Sequence, residues 1–194
     1  YIRDIQLFMP DHEGQSLEME NWQHGSDDSP FHLLFLERLQ PFDTIRFMQW
    51  QQVNGDDRDV LTADDLRPVS HATQSSTSRS AFNGVSVEYQ VQLANELGSN
   101  AWFNMPHQAN DDYVRTFAEY VRDNIHDDAQ VLVEYSNEVW NYAPGFEANG
   151  WIGEQQDLPE NEGLTFMDVW AQEARRDFAI WSEVFAGQED RLTR

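Results

Sequence analysis

The sequence predicts an α/β fold, and within that class a (β/α)8 TIM barrel represented by about its first four βα units. Three observations carry the prediction. The hydrophobic pattern switches between a strand period and a helix period in the order β-α-β-α-β-α-β-α, with a further strand beginning at the end. Such alternation implies parallel strands joined by helical crossovers. The first strand is not followed by a glycine-rich turn: Pro10-Asp11-His12-Glu13-Gly14 lacks the spacing of a doubly wound nucleotide-binding sheet, and no Walker pattern occurs. The residues able to do chemistry (Trp50, His107, Asn137 and Glu138) fall at the C-terminal ends of predicted strands, where barrel sites are built.

The elements follow in order. Residues 1–8 read as a strand stopped near Pro10, and residues 11–29 as a polar loop. Ser29 and Pro30 predict the cap and first position of a helix with Phe31, Leu34, Phe35 and Leu39 as its apolar stripe, ended by Pro41. Residues 44–50 are β-branched and aromatic, and predict a strand. Residues 51–83 read as a long irregular loop insertion, polar and low in complexity over 70–78. A helix over 85–97 is closed by Gly98, and residues 101–105 form a strand ending at Pro106. Asn110 caps a helix whose stripe is Tyr113, Val114, Phe117, Ala118, Val121 and Ile125. Residues 131–136 are the clearest strand, the fourth in order. After another irregular loop, a helix over 166–185 presents Met167, Trp170, Ala174, Phe178, Trp181 and Phe185, and residues 191–194 begin a fifth strand.

Charge bounds the partners. The chain has 194 residues, 35 acidic and 12 basic, for a net charge of −23. Every basic residue is arginine, and there is neither lysine nor cysteine. A body this anionic repels nucleic acid and anionic membrane surfaces. No apolar run is long enough to span a bilayer, and no disulfide or thiolate metal site is possible. The composition is 40% hydrophobic and 13% aromatic, which supports a core rather than disorder. Abundant carboxylates without lysine point to high-salt adaptation, because salt screens their mutual repulsion. Residues 54–59 carry Asp56, Asp57 and Asp59 with a spacing loosely like a calcium loop, but lack the glycine and closing glutamate of an EF-hand.

The sharpest segment runs from Val131 to Asn141 and sets Asn137-Glu138 at the mouth of a buried strand. It resembles the clan-A retaining glycoside hydrolases, the family 5-like (β/α)8 barrels, whose fourth strand ends in Asn-Glu. The whole chain resembles the front half of a poorly characterised marine bacterial branch of that clan. The resemblance makes Glu138 the general acid/base and Asn137 its neighbour on the sugar 2-hydroxyl. It matches Arg46 to an arginine of strand two and His107 to a histidine ending strand three. The matching pattern has an aspartate where this chain carries Gln49. Trp50, Trp102 and Trp140 are read either as core or rim residues or as platforms for sugar C–H faces, and Asn141 is grouped with the substrate-binding residues. His107 is read as a structural histidine, a sugar ligand or a proton-transfer group, and Arg46 as an interior ion pair or a site residue.

Retaining hydrolysis needs an acid and a nucleophilic carboxylate about 5–5.5 Å apart. Glu134 shares the strand face of Glu138 but lies four residues deeper, roughly 13 Å along an extended strand. It is read instead as a buried partner for Arg46. The resemblance places the nucleophile on strand seven, beyond these residues. A complete barrel usually needs about 250 residues, so the chain is expected to be a fragment, inactive alone. The expected function is retaining hydrolysis of a β-linked poly- or oligosaccharide by a secreted or cell-surface protein, with no metal or organic cofactor. The alternative is a non-catalytic carbohydrate-binding protein on the same scaffold; a third reading is a plain α/β domain in which Asn-Glu is incidental.

Overall fold

The structure, a computed structural model, describes residues 29–55, 60–71, 74 and 84–194. The chain divides into two compact units, Tyr1–Asp43 and Thr44–Arg194, each described by itself. The strand expected at 1–8 lies outside the described residues, as do Asp56, Asp57 and Asp59.

In the first unit, α1 spans Leu33–Leu39 and is capped by His32, whose Nδ1 accepts from the Leu34 amide at 3.2 Å. The expected start at Ser29-Pro30 is therefore corrected. The Ser29 hydroxyl is used in a local turn, accepting from the Phe31 amide at 3.0 Å, and the helix begins only beyond it. Leu34 and Phe35 are exposed rather than part of a buried stripe.

The second unit is an α/β layer structure. Its four strands are β1 (Thr44–Arg46), β2 (Asn100–Met105), β3 (Val131–Tyr135) and β4 (Leu192–Thr193). All neighbours are parallel, and the order in the sheet is the order in the chain. The helices are α2 (Val87–Leu97), α3 (Asp111–Asn124), α4 (Ala148–Gln156) and α5 (Phe166–Val184). Their starts follow local chemistry. Ser86, Asn110 and Thr165 each accept a hydrogen bond from a backbone N–H in the first turn. Gly98 closes α2 at φ 61°.

The pleat divides the sheet into two faces. Ala101, Phe103 and Met105 lie level with Val131, Val133 and Tyr135, and all six are buried. Phe103 stacks on Phe47 at 5.4 Å, meets Phe117 of α3 edge-on at 5.3 Å and lies 6.2 Å from Trp181 of α5. The core sits there, between this face and α3 and α5. The other face carries Arg46, Trp102 and Leu132 in one row and Asn104 and Glu134 in the next.

Three expectations change. The strand expected over 44–50 stops at Arg46, because Phe47 leaves β space at φ −95°, ψ 13° to bury its ring, and Met48–Gln51 form a 3₁₀ turn. The irregular region 51–83 contains a second 3₁₀ turn, Ala63–Asp65, held by a capping box from Thr62 and Asp65, and Leu61 beside it pairs with Ala109 and is buried. The loop before α5 contains α4, a helix with Gly150 and Gly153 in its interior and only Ala148 and Ile152 buried. Poor helix formers and a two-residue apolar face leave little periodic signal.

Candidate functional site

The site forms where β3 ends. The strand stops at Tyr135, and Ser136 and Glu138 both take left-handed φ, at 55° and 43°. Such angles cost about 1–3 kcal/mol for a non-glycine residue and persist only when the surroundings hold them. Here they are held. The Ser136 amide donates to the Met105 carbonyl at 2.7 Å, its hydroxyl donates to the Val53 carbonyl at 3.4 Å, and its side chain is buried. The kink turns Asn137 inward, at 4% exposure, and leaves Glu138 exposed. It also ends the period-two relation between Glu134 and Glu138 on which the extended-strand distance rested.

Both carboxylates line an open cleft of about 620 Å³. Its strand side holds Arg46, Trp102, Glu134, Asn137, Glu138 and Trp140; its helix side holds Met167, Trp170, Ala171, Ala174 and Phe178 of α5. The two sides meet because β4 pairs only with Val131 and Leu132, so the upper part of β3 borders the cleft with Glu134 from one face and Tyr135 from the other.

A chain of polar contacts crosses the strand side. Arg46 Nη2 donates to Glu134 Oε2 at 2.6 Å and to Asn137 Oδ1 at 3.0 Å. Asn104 Nδ2 donates to Glu134 Oε2 and to the Ser136 carbonyl, both at 2.8 Å. Asn137 Nδ2 donates to Asn54 Oδ1 at 2.8 Å. The Arg46 guanidinium also lies 4.7 Å over the Trp102 ring. Arg46 and Glu134 do form the pair expected from the sequence, but at 34% and 31% side-chain exposure it is not buried. Solvent screens such a pair to about 1 kcal/mol or less, so its importance is geometric.

The expected residues separate into three groups. Glu138, Asn137, Arg46, Trp102 and Trp140 are gathered in the cleft lining, with Trp140 62% exposed. Asn141 touches the cleft carboxylate: its Nδ2 donates to Glu138 Oε2 at 2.8 Å. Trp50 and His107 lie outside the lining. Trp50 sits on the 3₁₀ turn with its ring 5.4 Å from Phe47, and His107 is buried at 1% exposure with its ring 6.1 Å from Trp151. The His107 carbonyl accepts from the Tyr135 hydroxyl at 3.3 Å, and burial pushes that phenol well above its ordinary range, so it stays a donor.

Sequence reading missed Asn54, Asn104 and the wall from α5. Asn104 follows Trp102 by two residues and so shares its strand face, but only the fold shows that this polar group is buried, at 0% exposure. Trp170 and Phe178 belong to the apolar side expected of the helix over 166–185; they are only half-buried, because that side runs from the core at Trp181 out to the cleft.

Among the described residues no cluster of three or more His, Asp or Glu could hold a metal ion, and no helix is long and apolar enough to cross a membrane. No family model, curated protein or solved structure matches the chain.

Proposed function

We propose that this chain carries the acid/base half of a retaining glycoside hydrolase site, on a (β/α)8 barrel wall, acting on a β-linked poly- or oligosaccharide outside the cell or at its surface. The observation that carries the reading is the cleft at the C-terminal ends of parallel strands, where one exposed carboxylate, Glu138, stands among Trp102, Trp140 and Trp170. Aromatic rings suit the C–H faces of sugars, and a carboxyl group is the acid that protonates a departing glycosidic oxygen. Two further features support it. Four strands in chain order are what a barrel wall requires, without the reversal of a doubly wound sheet. The left-handed Ser136 and Glu138 are backbone strain of the kind that clusters at active sites.

In this reading Glu138 protonates the leaving oxygen and then activates water, with Asn141 holding one carboxylate oxygen. The clan draws its nucleophile from strand seven, so the assay belongs to a chain carrying that strand together with these residues. Glu138→Gln there is expected to lower kcat about 100-fold or more on a sugar with a poor leaving group, and much less on an activated aryl glycoside. Rates like the parent's on the poor leaving group would sink the assignment.

One observation favours the second reading, a non-catalytic carbohydrate binder. Glu134 is committed to Arg46 and Asn104, which leaves Glu138 as the cleft carboxylate without an ion pair among the described residues. Sugar binding that persists with unchanged affinity in Glu138→Gln, and no turnover by the parent, would favour it.

A further inference from the structure

The turn after β1 is tied to β2, to the end of β3 and to the residue before α4. Gln51 Oε1 accepts from the Asn104 amide at 3.1 Å, and Gln52 reverses the chain at φ 58°. Val53 is fully buried and its carbonyl accepts from Ser136. The Asn54 carbonyl accepts from the Glu147 amide at 2.9 Å, one residue before α4. The backbone that presents the Asn54 side chain is thus fixed on two sides, and that side chain meets Asn137 Nδ2 with its oxygen at 2.8 Å.

An amide side chain has two chemically distinct ends, and reversing it exchanges a donor for an acceptor. Asn137 is held at both. Arg46 can only donate, so it selects the oxygen end; the NH2 end is thereby turned to Asn54, whose Oδ1 accepts from it. Arg46 is itself held in place by Glu134 and by the Trp102 ring. With Asn54 removed, the NH2 end loses its acceptor and the amide is fixed from one side alone.

We propose that Asn54 is a positioning residue for the cleft, acting through Asn137 by accepting from the NH2 end of the amide whose oxygen end Arg46 holds. The inference rests on the carbohydrate reading of the same cleft. It gives the loop after β1, which lies outside the Asn-Glu segment, a share in sugar recognition.

Aspartate at position 54 keeps an acceptor in nearly the same place, whereas leucine keeps size and loses the acceptor. The test uses the 194-residue chain, with two readouts: the side-chain amide ¹H–¹⁵N resonances of Asn137, and calorimetric affinity for cellohexaose and laminarihexaose. Asn54→Leu is expected to move the Asn137 resonances and to weaken binding of whichever sugar the parent takes by about tenfold, the size of one directed hydrogen bond. Asn54→Asp is expected to restore both. Unmoved resonances in Asn54→Leu overturn the proposal, as do moved resonances with unchanged affinity, or an Asp variant as impaired as the Leu variant. Should Asn54→Leu not fold, Asn54→Ala serves with the same expectations. If the parent binds neither sugar, the cleft is not a β-glucan site, and the resonances alone decide the positioning: moved by Leu and restored by Asp supports it, unmoved overturns it.

Discussion

Gly84 has φ 89°, and a Cβ at this position would stand 2.2 Å from the Trp50 carbonyl oxygen. That oxygen accepts from the Val85 amide at 2.7 Å, so it cannot move away without breaking the link between the turn after β1 and the start of α2. Gly84→Ala therefore combines a disfavoured backbone angle with a backbone clash, and is expected to cost about 2 kcal/mol or more. A urea midpoint within error of the parent's would contradict this. Nothing in the sequence marks Gly84, because the constraint comes from Trp50, thirty-four residues away in the chain. The Arg46–Glu134 pair was legible, since a charged residue within an otherwise apolar strand needs a partner, and Arg46 stands on β1, across β2 from it. The amide partners Asn54 and Asn104 were not, because a polar residue in a loop or strand does not announce what it will meet. Trp50 and His107 were expected at strand ends, but β1 stops at Arg46 and leaves Trp50 on the 3₁₀ turn against Phe47, while His107 just beyond β2 is buried; neither reaches the cleft lining.

At the scale of elements, helices with a cap and a wide apolar stripe could be read from the chain almost to the residue. α2, α3 and α5 are such helices, and β3 was as legible from its apolar run. The short pieces were less legible. α4 has glycines in its interior, α1 starts after a local serine turn, and β1 gives way to a 3₁₀ turn so that Phe47 can stack on Phe103. In each case tertiary packing overrides a weak local preference. α5 carries the clearest example of what a stripe conceals. Asp177 lies on it at 0% exposure, 3.2 Å from Arg176 Nη2, and its Oδ2 has no hydrogen-bond partner among the described residues. Burial pushes this carboxyl from an ordinary 3.8 up to about 7, against the opposing pull of Arg176. Between those values the folded chain holds a proton that the unfolded chain has released, so this group's contribution to stability falls as pH rises from about 4 to about 7 and is level above. Glu173 and Asp111 add negative charge on the same side. Asp177→Asn removes the titration, so its melting temperature relative to the parent's is expected to climb across that window. A constant difference from pH 4 to pH 7 in calorimetry would show that Asp177 ionises as freely as in the unfolded chain.

For the whole molecule, the net charge of −23 is the dominant long-range term. Compaction brings carboxylates together, and salt reduces the repulsion by shortening the screening length from about 10 Å at 0.1 M to about 3 Å at 1 M. The melting temperature is expected to rise between those concentrations of both sodium and potassium chloride; a flat or falling trend would remove the high-salt reading of the composition. The class of the fold and the strand-end location of Glu138 follow from the sequence by itself, because hydrophobic period and the alternation of elements are local properties of the chain. Charge likewise needs no structure to disfavour a polyanionic partner. Tertiary structure alone decided which strand-end residues share one cleft, that Asn137 is held by Arg46 and Asn54, and that α5 supplies the opposite wall. Those relations depend on where the chain turns after each strand and on how far β4 runs along β3. Such turns are settled by which distant side chains must be buried, and that is a property of the packed molecule.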